Sequence, residues 1–470
     1  MADHKFENQR RNATFDCRAL VLVLLIAFLV IPAFAQNRPA LDPAEPLRNS
    51  PQPKLLLPPP GAITRKNIDE NSMRALIHQL VACGTRLSLS SWTDPNRGIG
   101  CARDRVVARL NQISTGSGGK LQVVVDKFEA AVERTNGKSV PFENVYAILP
   151  GSDPKLAKTL FIVSGHIDSR PTDVMDPAAD APGADDDASG VAVSVECARL
   201  LSKIAASGHP FRSSLLFAAV SGEEQGLLGA TRLLEWAKEH DYRVAGMLDN
   251  DIVGDDPTPG APHRVRLFSG NGEIEDCDSP SRELARAIEE IDGPSAIRLI
   301  FRVDRYGRGG DHYPFYKAGL PAVRFTEPLE DYTHQHQNPR TENGVAYGDL
   351  EKYLNFTFMG NVARDNAEAL RQLASAPALP LNATLKGAVT PNAKLSWSSE
   401  SDSDRAGFEI LWRETTDPRW RVFDFTNDSS DAVLKGVSTD NHFFAVRSVG
   451  KNGARSIAAP TEREKSAYNK

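Results

Sequence analysis

The sequence predicts an α/β fold, a mostly parallel central sheet with helices on both faces, followed by a small all-β sandwich. Three observations carry this reading. Short continuous apolar runs, TLFIVS (159–164), SLLFAAV (214–220), VRLF (265–268) and AVRF (322–325), read as strands buried on both faces. Between them lie amphipathic stretches of helical length at 189–204, 227–240 and 280–291. After about residue 380 the pattern changes to short alternating runs separated by Asp, Ser, Asn and Gly. A chain of 470 residues is too long for one ordinary core, so two folded units are expected. The net charge of −6 offers no attraction to a polyanion, so nucleic acid is not indicated as a partner.

From the N-terminus, Lys5, Arg10, Arg11 and Arg18 precede an uncharged, largely apolar run at 19–37. Ala33 and Ala35 form the A-x-A pattern that signal peptidase cuts after. Residues 1–35 therefore read as a signal peptide, which implies export to periplasm or medium and no stable membrane insertion after cleavage. Residues 36–62, with Pro58, Pro59 and Pro60, read as an extended linker. Cleavage would remove Cys17. Cys83 and Cys101 flank a polar, Gly-containing segment and form a candidate disulfide, although spacing alone leaves the pairing open. Cys197 lies in an apolar helical stretch and reads as a small buried hydrophobe. The α/β domain spans 63–376 and closes with a helix at 349–373 for which Asp349 is an acceptable N-cap. The sandwich spans 381–460, with strand candidates at 393–397, 407–413, 420–425 and 442–449.

Acidic and histidine clusters sit at the strand ends of the α/β domain, the edge at which open α/β sheets bind ligands. Gly165-His166-Ile167-Asp168-Ser169 follows the first strand; an imidazole two residues from a carboxylate can ligate metal while a carboxylate holds the other ring nitrogen. Gly183-Ala184-Asp185-Asp186-Asp187-Ala188-Ser189-Gly190 opens a helix. Capping accounts for one of those aspartates. Three adjacent anions repel one another, and a cation relieves that repulsion. Ser221-Gly222-Glu223-Glu224-Gln225-Gly226 follows the strand SLLFAAV, where one glutamate can coordinate while its neighbour faces a water. Asp249-Asn250-Asp251-Ile252-Val253-Gly254 and Asp331-Tyr332-Thr333-His334-Gln335-His336 complete the set. Histidines with carboxylates and no cysteine suit catalytic rather than structural zinc.

Taken in order, GHIDS, GADDDASG and SGEEQG resemble the co-catalytic di-zinc aminopeptidases of the twenty-eighth metallopeptidase family, whose members include glutamate carboxypeptidase II and the glutaminyl cyclases. DIVG at 251–254, GDHYPF at 310–315 and the run from His336 to Thr341 extend the likeness, which covers about 63–373. The resemblance implies the zinc-peptidase fold and two zinc ions. It implies His166 and Asp251 on one ion, Glu224 and His336 on the other, and Asp186 bridging. Glu223 would be the general base and Asp168 would orient His166. The D-[MI]-[VI]-G context picks Asp251 over Asp249, and the distance to Thr341 picks His336 over His334. Arg340 stands where many members carry an acidic residue.

The implied activity is hydrolysis of N-terminal residues from peptide substrates. Tyr306 is a candidate donor to the oxyanion. The arginine-rich segment 301–310 keeps a carboxypeptidase or dipeptidase in view, because arginine grips carboxylates. A single-zinc glutaminyl cyclase and a non-catalytic surface protein are the remaining alternatives. Trp397, the run 408–412 and the run 443–446 resemble the fibronectin type III module, which would serve packing or attachment to a surface or matrix.

Overall fold

The computed structural model describes residues 61–256, 264–271, 278–427 and 430–463. The signal segment 1–35, linker residues 36–60, Cys17 and Cys277 lie outside the described residues. Among the described residues no helix is long and apolar enough to cross a membrane.

Helices α1 (Glu70–Val81) and α2 (Ile99–Gly116) precede an antiparallel hairpin of β1 (Gln122–Ala130) and β2 (Val140–Leu149). Strand–helix alternation follows: β3 (Thr159–His166), α3 (Ala188–Ala206), β4 (Ser214–Val220), α4 (Leu228–Glu239), β5 (Arg243–Asn250), β6 (Val265–Phe268), α5 (Pro280–Asp292), β7 (Ile297–Ile300), α6 (Tyr313–Lys317) and β8 (Ala322–Thr326). A small hairpin, β9 (Arg340–Glu342) with β10 (Val345–Tyr347), leads to α7 (Phe356–Ala374). The eight-stranded sheet has the order β1-β2-β4-β3-β5-β8-β6-β7. Its centre, β4-β3-β5-β8, is parallel. The β1–β2 hairpin joins antiparallel at one side, and β6 joins antiparallel to β8 at the other. The sheet is therefore mostly parallel where it is most buried.

Both faces are covered, and strand alternation decides which residue meets which layer. Leu215, Phe217 and Ala219 of β4 join the core beneath α1, α2, α3, α5 and α7. Leu216, Ala218 and Val220 face the second core with α4 and α6. Every residue of β3 and β4 is buried, which is why both read as unbroken apolar runs. Helix α3 is buried on nearly all sides, and Asp187 caps it by accepting from Gly190 N–H at 2.9 Å.

One expected boundary changes. The last helix starts at Phe356, not Asp349, and Asn355 caps it through the Phe358 N–H. The Asp349 carboxylate instead accepts the N–H groups of Asp185 and Asp186 at 2.9 and 2.7 Å. Those two donors have no helical partner, so a buried acceptor is needed there more than at the helix start.

The C-terminal unit contains β11 (Leu381–Lys386), β12 (Ala393–Ser398), β13 (Arg405–Glu414), β14 (Arg421–Thr426), β15 (Asp431–Leu434), β16 (His442–Gly450), β17 (Ala459–Pro460) and β18 (Glu462–Arg463). They form two four-stranded sheets, β15-β12-β11-β18 and β14-β13-β16-β17. Leu395, Trp397, Phe408, Ile410, Phe444 and Val446 fill the space between them. This unit docks on α5 mainly through charge: Arg447 on Glu290 at 2.6 Å, Arg419 on Glu289 at 2.5 Å and Arg413 on Asp278 at 2.9 Å. The Trp420 indole donates to Glu283 at 2.5 Å.

Cys83 and Cys101 are bonded, tying the end of α1 to the first turn of α2 across 18 residues. Closing a loop of that length restricts the unfolded chain and should stabilise the fold by about 3 kcal/mol. The Cys83→Ser/Cys101→Ser double variant should accordingly melt well below the parent in thermal unfolding under oxidising conditions. In reducing buffer the two proteins should melt together.

Candidate metal centre

The C-terminal ends of the parallel strands converge on one cleft edge. His166 ends β3, Glu223 and Glu224 follow β4, and Asp251 follows β5. Asp186 stands in the loop before α3, and His336 arrives from the segment after β8. His166 Nε2 lies 3.1 Å from Asp186 Oδ1 and 3.8 Å from Asp251 Oδ2. His336 Nε2 lies 3.0 Å from Asp186 Oδ2 and 3.2 Å from Glu224 Oε1. Two triads result, His166/Asp186/Asp251 and Asp186/Glu224/His336, each with its donor atoms within 4.8 Å of one another. Asp186 belongs to both and offers a different oxygen to each.

The donors fit a pair of divalent cations. Imidazoles and carboxylates without thiolate are the set found in hydrolytic zinc sites. Four of the five residues are almost fully buried, His336 being the open one. Glu224 Oε1 is buried and makes no hydrogen bond of ordinary geometry among the described residues, although His336 Nε2 lies 3.2 Å away, an arrangement that suits two ligands of one ion. Burial works against ionisation of Asp186, yet the two flanking imidazoles hold its carboxyl well below the usual range. Burial pushes the Glu223 carboxyl well above its usual range; His166 opposes the shift, while Glu224, Asp251 and Asp168 reinforce it. A buried carboxyl displaced upward in this way is suited to taking up a proton.

Backbone contacts fix these side chains. The Asp187 carboxylate accepts the His166 N–H at 2.8 Å while capping α3. Arg86, fully buried, donates to the carbonyls of Ile167, Pro182 and Gly183, lacing the His166 and Asp186 loops together. Asp168 touches both His166 and the glutamate turn. His166 Nδ1 meets its backbone carbonyl at 3.1 Å, with Oδ1 farther away at 3.7 Å. Its carboxylate accepts the N–H groups of Glu223 and Glu224 at 3.3 and 3.1 Å, so it holds the glutamate turn. Ile252, beside Asp251, has φ of 60°, a costly conformation for a β-branched residue. The Glu327 N–H and Thr326 hydroxyl hold it there through its carbonyl.

The alternatives set aside in the sequence, Asp249 and His334, have other partners, and the expected oxyanion donor Tyr306 stands apart from the two triads. Asp249 pairs with His312 at 3.2 Å. His334 stacks on Tyr353 with ring centroids 3.7 Å apart. Tyr306 is 85% exposed, with Arg302 over its ring, and joins neither triad. Arg305 and Arg308 bond to Glu330 at 2.9 and 2.6 Å.

Sequence reasoning missed three groups. Arg324, fully buried in β8, lies 2.6 Å from Asp251 and also donates to the Gly309 carbonyl. Its signal was an arginine inside an apolar strand, which is sustained only by a buried anion. Asp311 is buried with neither oxygen partnered among the described residues; burial, with Asp249 and Glu223 nearby, raises its carboxyl well above the ordinary range. Asp349 supports the Asp186 loop from a position that sequence assigned to a helix cap.

Residues 144–353, which include all five donors and Glu223, match peptidase family M28. A probable zinc metalloprotease of Pyrenophora tritici-repentis is 38% identical over 433 residues, covering 86% of this chain and 88% of its own. A probable zinc metalloprotease of Leptosphaeria maculans is 39% identical over 415 residues, covering 84% and 94%. Among solved structures, the LapA aminopeptidase of Legionella pneumophila aligns over 66% of this chain and 73% of its own, with 19% identity and a TM-score of 0.48. The identity and coverage of the curated relatives establish the family: this chain belongs to peptidase family M28 and is a zinc metalloprotease.

Proposed function

We propose that the chain is an exported aminopeptidase that hydrolyses N-terminal residues from peptides with two zinc ions. The observation that carries this reading is the pair of triads sharing Asp186, each of whose oxygens faces a different imidazole. A single-ion cyclase would not require that sharing. His166 and Asp251 would hold one ion and Glu224 and His336 the other, with Asp186 between them. The ions would supply Lewis-acid polarisation of the scissile carbonyl and a lowered pKa for the attacking water. Glu223 takes the proton from that water and delivers it to the departing amine. Arg324 keeps Asp251 ionised and oriented, and Asp168 sets the direction of the two glutamates.

Two features favour recognition of the amino terminus. Arg305 and Arg308, which could grip a substrate carboxylate, are occupied by Glu330. Beside Asp186 lies a small acid-walled cavity lined by Asp185, Asp255, Glu327, Asp331 and Asp349, with room for about one water-sized group such as an ammonium. The Cys83–Cys101 bond is consistent with an oxidising compartment. The β14-β13-β16-β17 and β15-β12-β11-β18 pairing supports reading the C-terminal unit as a fibronectin type III-like attachment module.

The neighbouring glutamates separate the roles. Glu223→Gln should keep about two zinc ions per chain by elemental analysis while kcat falls by about two to four orders of magnitude. Glu224→Gln should lose zinc, and added zinc should restore part of the activity. The reverse pattern would exchange the two assignments.

Substrate direction is read from blocked peptides. Aminoacyl amides and free-amine dipeptides should be cleaved, and their N-acetylated counterparts should not. Cleavage of acetylated peptides from the carboxyl end would replace the aminopeptidase reading with a carboxypeptidase one, and chelation should abolish either activity.

A further inference from the structure

A second cleft, of about 660 Å³, lies between β7 and the C-terminal sandwich. Three consecutive residues of β7, Ile297, Arg298 and Leu299, line it. Successive side chains of a strand point to opposite faces, so three in a row line one space only when the strand presents its edge.

That edge is free. Among the described residues β7 is the terminal strand and pairs only with β6. Ala296 and Ile300 direct their carbonyls towards β6, accepting from Val265 and Ser269 at 3.1 and 3.0 Å. The parallel ladder alternates, so the backbone groups of Ile297 and Leu299 point outward. The Ile297 N–H is taken by the Gly293 carbonyl at 3.2 Å. Ile297 is fully buried, so the accessible part of this edge is Leu299, whose N–H and C=O have no partner among the described residues.

The lining is strongly basic. It contains six arginines and three carboxylates. Arg282, Arg286 and Arg413 converge on one of those, Asp278, at 3.1, 2.6 and 2.9 Å. Arg413 is 3% exposed with its Nε unpartnered, as is the Nε of Arg282. Burial and the adjacent Arg286 lower the Arg413 guanidinium to about 10. Arg298 is exposed with no carboxylate partner among the described residues, and Arg264 reaches only the Pro294 carbonyl. Arg282 and Arg286 also stack over Phe301, 5.1 and 4.8 Å from its ring centre, giving the basic wall an aromatic floor.

We infer that this cleft is a second peptide-binding site, in which an extended acidic segment of a protein partner pairs with the free edge of β7 and sets its carboxylates on the surrounding arginines. Leu299 offers one N–H and one C=O, which can anchor an added strand by a pair of main-chain hydrogen bonds. Charge excess and an open edge each point to a ligand. Only an acidic peptide satisfies both, because a sulfated or phosphorylated polymer has no main chain to pair. This site is independent of the aminopeptidase reading.

The probe is the blocked peptide acetyl-Glu-Thr-Glu-Val-Glu-Thr amide, labelled for fluorescence anisotropy and titrated with the zinc-loaded full chain. Blocking both ends keeps it from being an exopeptidase substrate. It should bind saturably. Arg298→Glu should weaken binding by about tenfold or more, since it reverses a charge at the edge. The same peptide N-methylated at alternate positions should lose about as much, since it cannot form the ladder. Turnover of a small aminoacyl amide by Arg298→Glu should match the parent within about twofold, which separates this test from the catalytic one. Absence of binding would mean that the arginines only guard the edge against self-association. Equal binding by the N-methylated peptide, or tighter binding of a heparin fragment than of the peptide, would also overturn the proposal.

Discussion

Burial of like charge is the constraint on which the rest of this structure depends. Asp168, Asp186, Asp187, Glu224, Asp249, Asp251, Asp311 and Asp349 are all nearly inaccessible at one end of one sheet. An isolated buried carboxylate costs several kcal/mol, and neighbours of the same sign add to that. The cluster is sustained by a few opposing groups: Arg86 and Arg324, His166, His312 and His336, and the backbone N–H groups that Asp168, Asp187 and Asp349 accept. Bound zinc would add to that neutralisation, so ion binding and the integrity of this edge are one problem.

The parallel centre of the sheet follows from the same constraint. Strands β3, β4 and β5 run in one direction and end together, so the loops that leave them share one edge. Each loop delivers one or two acids, and α3 begins there with Asp187 on its exposed N–H groups. Arg86 restrains these loops, because its residue follows the Cys83–Cys101 bond by three positions and its guanidinium reaches the carbonyls of both metal-facing loops. Removing that guanidinium would leave the Ile167 and Pro182 carbonyls without donors behind the site, while Gly183 would keep the Ala188 N–H.

Charge is also what joins the two folded units, with opposite polarity. The sandwich brings the guanidinium groups of Arg413, Arg419 and Arg447 to the seam, and the α5 side answers with the carboxylates of Asp278, Glu289 and Glu290. Arg447, 5% exposed, binds both Glu409 of its own unit and Glu290 of α5, so the sandwich core and the docking face share one cation. Such pairs fix orientation more than they add stability, since desolvation offsets most of their attraction. The sandwich is therefore held in one pose against α5, beside the free edge of β7.

The sequence by itself determined the layers and the chemical inventory of the site, because both are local. Unbroken apolar runs mark doubly buried strands whatever their order, and a Gly-flanked acidic turn after such a run places its carboxylates at a sheet edge. Tertiary structure decided the choices among equivalent neighbours. Asp249 and Asp251 are two residues apart, so alternation cannot separate them; the strand ends at Asn250 and the turn at Ile252 sends Asp251 to His166 while Asp249 stays with His312. The identity of residues near His334 does not say which imidazole enters; Tyr353 stacks on His334, and the left-handed backbone at His336 turns that ring inward. Asp349 looked like a helix cap because capping is a local pattern, yet its partners lie more than 160 positions earlier. Arg324, Asp311 and the free edge of β7 were beyond sequence for the same reason. Each is defined by what surrounds it, and burial is a property of the folded chain.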